Sequence, residues 1–225
     1  FEYAVPLIGL LGSGTNKIVY SYDGINWTNS TSQPFTTAAY DVAWNGSMWI
    51  AVGEGSFTIA SSTDGINFTG VTSTILSLGN GVAWNGSYWL AVGQWTTGGS
   101  GVMAKSTNGL TWTPVTVSNI VSGNNLNSIS WNGSMWIAVG AGPSNNIYTS
   151  TDGTSWTGRG RPIGNIDTTG NFGAINWNGS MWLAGGGTTG SANTLAYSFD
   201  GTTWNSLGTS IFSSQCNGIA WNKIY

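Results

Sequence analysis

The hexapeptide Trp44-Asn45-Gly46-Ser47-Met48-Trp49 decides the fold, because near-copies of it recur through the whole chain of 225 residues. Four copies read Trp-Asn-Gly-Ser-x-Trp, and a fifth keeps only the Trp-Asn pair. The copies begin at Trp44, Trp84, Trp131, Trp177 and Trp221, so the gaps between them are 40, 47, 46 and 44 residues. A period of about 40–50 residues is typical of a repeated unit of four short strands.

A second motif, Ser-x-Asp-Gly-x-x-Trp/Phe, keeps the same period. Its copies span Ser21–Trp27, Ser62–Phe68, Ser106–Trp112, Ser150–Trp156 and Ser198–Trp204, and Asn108 replaces the aspartate in the third copy. Short alternating apolar runs bounded by Gly, Asn, Asp and Ser indicate strands and not helices. In the second unit we predict strands A to D at Asp41–Trp44, Met48–Gly53, Thr58–Ser62 and Asn67–Gly70. Hairpin turns centred on Asn45-Gly46 and Asp64-Gly65 would join A to B and C to D.

Two motifs in five phased copies predict an all-β protein, a five-bladed β-propeller with four-stranded antiparallel blades, in a single domain over residues 1–225. The predicted blades are 1–29 plus 217–225, 40–70, 80–114, 127–157 and 173–206. The first blade joins both ends of the chain, because the strand at Trp221 lacks three partners that residues 7–29 supply, and this closure hides the sheet edges. Along the axis we expect small side chains at Ala43, Ala83, Ser130, Asn176 and Ala220, with Gly81 and Gly218 nearby.

The composition argues against several classes of function. Five Lys plus Arg against eight Asp plus Glu give a net charge of −3, so nucleic acid is not an expected partner. The chain has no His, which excludes imidazole triads and the commonest metal ligand. Cys216 is the only cysteine, so neither an intrachain disulfide nor a cysteine metal cluster can form. No apolar run approaches the roughly 20 residues of a membrane-spanning helix. We expect no cofactor and no metal.

The second motif resembles the Asp-box, or bacterial neuraminidase repeat, whose usual form has one more residue between Asp and Gly. In that family the box forms the turn between the third and fourth strands of a propeller blade, which implies the same fold for this chain. The Trp-Asn-Gly-Ser-x-Trp repeats are similar to repeat proteins of large DNA viruses. Five blades in a chain of this length also resemble the tachylectin type of carbohydrate-binding propeller, in architecture alone. Asp-boxes occur in hydrolases, receptors and assembly factors, so the resemblance leaves the function open.

Catalysis is not expected from the residues present. A sialidase needs an arginine triad, whereas this chain has two arginines, Arg159 and Arg161. A general glycosidase needs two carboxylates facing across a cleft. Four aspartates belong to the turns: Asp23, Asp64, Asp152 and Asp200. Four acids remain, Glu2, Asp41, Glu54 and Asp167, and a hydrolase that uses a pair of them is the less favoured alternative.

Recognition is expected on one face of the propeller. Its topology places the A–B and C–D turns on one face, here called the turn face, and the B–C and D–A connections on the other, the loop face. The loop-face connections vary between units, and variable loops on a rigid scaffold usually carry recognition. The candidate ligand-binding residues there are Trp95, Arg159, Arg161 and Asp167. Trp95 is interpreted either as a contact residue or as a lid on the adjacent blade.

The functional hypothesis is therefore a non-enzymatic binding module that recognises a glycan or a protein through the loop face. The alternative is a structural component of a virion or extracellular assembly, as a homo-oligomer or assembly subunit. Seven Asn-x-Ser/Thr sequons suggest an extracellular or virion-surface glycoprotein: Asn26, Asn29, Asn45, Asn67, Asn85, Asn132 and Asn178. Six of these lie within the two repeated motifs, so duplication explains them without a glycan, and only Asn29 is independent.

Overall fold

The computed structural model describes residues 8–95, 101–117, 125–142, 144–163, 173–187 and 192–220. These ranges contain nineteen β-strands and no helix. The first three strands are β1 (Ile8–Leu11), β2 (Ile18–Ser21) and β3 (Thr28–Asn29). Two groups of four follow: β4 (Ala38–Trp44), β5 (Trp49–Glu54), β6 (Ile59–Ser62) and β7 (Thr69–Val71), then β8 (Leu78–Trp84), β9 (Trp89–Gln94), β10 (Met103–Ser106) and β11 (Thr113–Pro114). The last two groups are β12 (Asn125–Trp131), β13 (Trp136–Ala141), β14 (Ile147–Ser150) and β15 (Thr157–Gly158), then β16 (Ala174–Trp177), β17 (Trp182–Gly185), β18 (Leu195–Ser198) and β19 (Asn205–Ser206).

Each group of four is an antiparallel meander in which consecutive strands pair. One further pair, Asn125 with Gln94, joins β12 to β9. The predicted four-stranded antiparallel sheets are therefore confirmed. Within the described part of the chain, the first group has only β1, β2 and β3, and residues 216–220 carry no strand. The predicted pairing of the Trp221 strand with the first blade lies outside the described residues.

The predicted strand limits and the A–B turn need correction. Strand β4 begins at Ala38, three residues before the predicted start, because a β-bulge between Ala39 and Asp41 accommodates an extra residue. The turn is centred one residue later than predicted: the Asn45 amide donates to the Met48 carbonyl (3.1 Å), and Asn45 Oδ1 accepts from the Met48 amide (2.7 Å). The asparagine side chain thus replaces a backbone acceptor, which is why the motif begins with Asn and not with a second glycine.

Tryptophan pairs fill the end of every A–B hairpin. In four units the two tryptophans of the motif lie on paired positions, with ring centroids 5.0–5.2 Å apart. The second tryptophan is fully buried in three of them, at Trp89, Trp136 and Trp182. Indole rings bury a large apolar area and gain from tilted contacts, so these pairs contribute heavily to the core.

In three units the motif glycine of the C–D turn touches the preceding unit. A Cβ placed on Gly109 would lie 2.7 Å from Met48 Sδ and 2.8 Å from Ile50 Cδ1. The same contact joins Gly153 to Tyr88, and Gly201 to Met135. The residue between Ser and Trp in one unit therefore packs against the box turn of the next, and this contact repeats along the chain.

We expect Gly109→Ala to destabilise the fold by about 2–5 kcal/mol, because it combines a left-handed backbone (φ 73°) with overlap onto Met48. Gly208→Ala is the matched control, since Gly208 has φ 67° but no atom within 4 Å of its Cβ position. The control should lose about 1–2 kcal/mol in urea unfolding. Equal losses in the two variants would show that the contact between units is unimportant.

Candidate functional site

An open cavity of about 530 Å³ lies where the repeats meet. Its wall is built from β4, β8, β12 and β16, together with residues 217–219. The first strand of each four-stranded group thus borders one shared space, and the segment near the end of the described chain completes the wall. This is the position that sequence analysis assigned to the axis.

β-Bulges place residues in the wall of this cavity. Register shifts in β4, β8 and β12 each insert one extra residue, and these are Tyr40, Asn80 and Asn127. All three line the cavity, as do Gly173 and Asn217. Each of the five precedes the first tryptophan of its motif by four residues. Bulges commonly redirect side chains beside binding sites, so a repeated bulge at the centre marks this cavity as the candidate site.

Hydrogen bonds run from unit to unit around the cavity. The Val82 amide donates to Asp41 Oδ2 (2.9 Å), and Asn80 Nδ2 donates to the Leu126 carbonyl (3.0 Å). Asn176 Nδ2 donates to the Ile219 carbonyl (3.1 Å). The last bond brings the end of the described chain against β16, so the segment before Trp221 lies beside the fifth repeat.

The prediction of small axial side chains was only partly right. Ser130, Asn176 and Gly218 line the cavity, but Ala43 and Ala83 pack against apolar clusters. The bulges shift the alternation of the strands, and period-two reasoning did not anticipate them.

Asp41 is a cavity-lining residue that the sequence analysis did not single out as a binding residue. Its Oδ1 accepts from the Val42 amide (2.9 Å) and its Oδ2 from Val82, yet desolvation raises its pKa to about 6. Its side chain keeps part of its surface open to the cavity. It is the only carboxyl group among the described residues that line the cavity, so the carboxylate pair of a glycosidase is not found in this wall.

The predicted loop-face residues that the structure describes have different surroundings. Trp95 is half-buried and packs against the cluster that contains Leu90, Val92 and Trp136, as a lid would. Arg159 Nε donates to Thr149 Oγ1 (2.8 Å) and lines a shallow groove beside the C–D turn of its own unit. Asp167 lies outside the described residues. A ligand-binding role for these residues stays a prediction.

Arg161 is exposed, and its charge affects Tyr148. Burial raises the pKa of Tyr148 to about 12, and the positive charge of Arg161 partly offsets this rise. The side chains of Arg159 and Arg161 therefore have different neighbours.

The turn aspartates have a structural role. Asp64 Oδ1 accepts from the amides of Asn67 and Ile66 (both 2.8 Å), and these bonds hold the pKa of Asp64 well below its usual range. Asp23, Asp152 and Asp200 make the same bonds with the same effect on their pKa values. Asn108 Oδ1 also accepts the two equivalent bonds, at 2.9 and 2.8 Å. An amide serves as well as a carboxylate, so charge is not what the turn requires.

The sequons differ in how far their side chains are engaged. Nδ2 of Asn26 and of Asn67 donates to the turn aspartate of its own box at 2.7 Å, which occupies the nitrogen a glycan would need. At the hairpin turns only Oδ1 is fixed, in Asn45, Asn85, Asn132 and Asn178. Asn29 is exposed in β3. Glycosylation stays a prediction, and this geometry favours the hairpin asparagines and Asn29.

Large apolar side chains are exposed on both faces. On the loop face they are Leu207, Ile211 and Phe212, in the connection that follows β19. Thr194 Oγ1 pins this connection through the carbonyls of Gly208 (3.2 Å) and Phe212 (2.8 Å). The other exposed large apolar side chains lie in or beside the turns of the turn face, and they are Tyr22, Ile25, Trp27, Trp44, Leu110 and Phe199.

No family model and no curated protein matches this sequence. A solved β-propeller described as "Crystal structure of Nidogen/Laminin Complex" does match the structure, with a TM-score of 0.67 and 12% sequence identity, over 97% of this chain and 81% of that one. This chain has a β-propeller fold. At such low identity the likeness shows the fold alone. Over the described ranges, no helix is apolar and long enough to cross a membrane, and no three His, Cys, Asp or Glu side chains gather at a metal-binding distance.

The raised pKa of Asp41 makes its effect on stability depend on pH. A carboxyl group whose pKa is higher in the folded than in the unfolded state stabilises the fold fully below about pH 4, and this contribution is lost as the pH rises through about 6. The free energy of unfolding of Asp41→Asn should therefore rise, relative to that of the wild type, by on the order of 2 kcal/mol between pH 4 and pH 7. Urea unfolding across this range measures the change.

Asp64→Asn is the control with the opposite sign, because the pKa of Asp64 is lowered. Its stabilising contribution is present above about pH 4 and is lost on acidification. A pH-independent difference between wild type and Asp41→Asn would show that Asp41 is not desolvated.

Proposed function

We propose that this chain is a five-bladed, non-enzymatic propeller that binds a protein partner through its loop face. The five-fold count is supported by five phased copies of both motifs and by a cavity wall to which all five repeats contribute. The bond between Asn176 and Ile219 supports a further first strand, because it holds the segment before Trp221 beside β16 in the cavity wall.

The observation that carries the proposal is the pinned connection 207–215. Ile211 and Phe212 expose 57% and 42% of their surface, although Thr194 holds the backbone of the connection through the carbonyls of Gly208 and Phe212. Ser206 Oγ donates to the Pro162 carbonyl (2.6 Å), which ties this connection to the loop that carries the exposed Arg161. Rigid apolar anchors beside an arginine are typical of protein interfaces.

A glycan is the second candidate ligand, and its support lies on the turn face. Tyr20 packs edge-on against Tyr22 (5.9 Å), and Tyr197 against Phe199 (5.7 Å). Tyr22 and Phe199 are 50% and 64% exposed. Fixed, exposed aromatic rings among amide and hydroxyl groups suit neutral sugars.

The proposed location is extracellular or on a virion surface, where the chain would also be able to serve as a subunit of an assembly. Support comes from the seven sequons and from a surface with few charges, since only 6% of residues are charged.

Selection of peptides from a random display library tests the loop face. We expect selected peptides to carry aromatic or aliphatic anchors with an acidic neighbour that complements Arg161. The double variant Ile211→Ser/Phe212→Ser should weaken their binding at least about tenfold. Leu110→Ser is the matched control, because Leu110 is 54% exposed on the opposite face, and it should leave binding unchanged.

Other outcomes would redirect or overturn the proposal. Peptides that bind the double variant as well as the wild type would contradict a role for the 207–215 connection. Saturable binding on a glycan array, abolished by Tyr22→Ala and Phe199→Ala, would move the function to the turn face. Self-association with neither peptide nor glycan binding would favour the structural role, and hydrolysis of aryl glycosides lost in Asp41→Asn would make the chain an enzyme.

A further inference from the structure

The wall of the central cavity contains one carboxylate, that of Asp41, and no positive group among its described lining residues. The cations in the described part of the chain are Lys17, Lys105, Arg159 and Arg161, and none of them borders the cavity. Lys105 Nζ lies 3.8 Å above the Tyr88 ring, and the arginines lie beside Thr149 and Tyr148. The Asp41 carboxylate is therefore held by two backbone amides without a protein cation next to it.

The rest of the wall offers neutral hydrogen-bonding groups. Asn127, Ser128, Ser130 and Asn176 line this space, so the wall that contains the single carboxylate also carries residues with amide and hydroxyl groups. Such a wall favours a ligand that carries one positive charge and further polar groups. The charge would pair with the Asp41 carboxylate, and the polar groups would bind the neutral side chains.

The cavity is too large to suit a bare metal ion. A Ca²⁺ ion needs 6–8 oxygen ligands at 2.3–2.6 Å, usually with several carboxylates. A volume of about 530 Å³ with one carboxylate is much too large for that shell and lies within the usual range of small-molecule sites.

We propose that the central cavity binds a small organic cation, a primary ammonium compound that also carries hydroxyl groups. The ammonium group donates to the Asp41 carboxylate, while the hydroxyl groups bind the amides and hydroxyls contributed by β12 and β16. This site is independent of the partner on the loop face, because the exposed side chains of residues 207–212 do not line it.

Binding should depend on the ionisation of Asp41. The strands in contact with β4 are β1, β5 and β8, and apart from Asp41 the titratable groups in these four strands are Tyr40 and Glu54; the Tyr40 hydroxyl donates to Glu54 Oε2 (2.9 Å). A bound cation stabilises the carboxylate, so it lowers the pKa of Asp41. Affinity should therefore fall as the pH is lowered through about 6, while the ammonium group stays charged.

The matched probes are 3-aminopropane-1,2-diol and glycerol, which differ by one ammonium group in place of one hydroxyl. Titration calorimetry of the full chain at pH 7.5 and low salt should detect the amine, with glycerol at least about tenfold weaker. Asp41→Asn should abolish the difference between the two probes. Ser130→Asp, which adds a second carboxylate to the wall, should raise the amine affinity about fivefold.

Several results would overturn the proposal. Absence of amine binding, equal binding of amine and glycerol, or amine binding that is unchanged in Asp41→Asn would each do so. If Asp41→Asn fails to fold, the pH dependence of the wild type and the gain in Ser130→Asp decide instead. Ile211→Ser/Phe212→Ser should bind the amine like the wild type, so failure at this site and failure at the loop face are distinguishable.

Discussion

The contact between the box glycine of one unit and the preceding unit is the packing constraint on which the arrangement of neighbouring sheets depends. Gly109 meets Met48, Gly153 meets Tyr88, and Gly201 meets Met135, so one fixed offset is repeated from sheet to sheet. A larger side chain at the glycine would separate the sheets, because both the backbone conformation and the available space exclude it. The same contact therefore joins three successive pairs of units, and the first strands of the four-stranded groups border the shared cavity.

The sequence predicted the parts of the fold that depend on local turn chemistry. The turn aspartates accept backbone amides as expected, because short polar side chains bind neighbouring N–H groups, whereas the side-chain bond of the turn asparagines was not predicted. The repeat then supplied the strand order and the four-stranded sheets. What it did not supply was the bulge at Tyr40, Asn80 and Asn127, since an extra residue in a strand leaves no mark on a period-two pattern.

The candidate site was harder to predict for the same reason. Sequence analysis placed recognition in variable loops and treated Asp41 only as a spare acid. Its importance comes from desolvation beside β8 and from the absence of a cation in the described cavity wall, and both depend on residues about 40 positions away. Trp95 shows the reverse case: a tryptophan outside the repeat looked exposed, yet it packs on the core cluster of the third and fourth units. Burial by a neighbouring unit depends on how the units pack together and is not encoded in the local sequence.

Pulsed electron–electron distance measurement between spin labels on the C–D turns tests closure of the ring most directly. Tyr22, Thr63, Thr107, Thr151 and Phe199 occupy the same position in the five units and are all exposed, and Cys216 would be replaced by Ser to remove the native thiol. A closed five-bladed ring predicts that the pair 22/199 gives the same distance, within a few ångströms, as the neighbouring pairs 63/107 and 107/151. A clearly longer 22/199 distance would show an open arc and contradict the five-bladed ring.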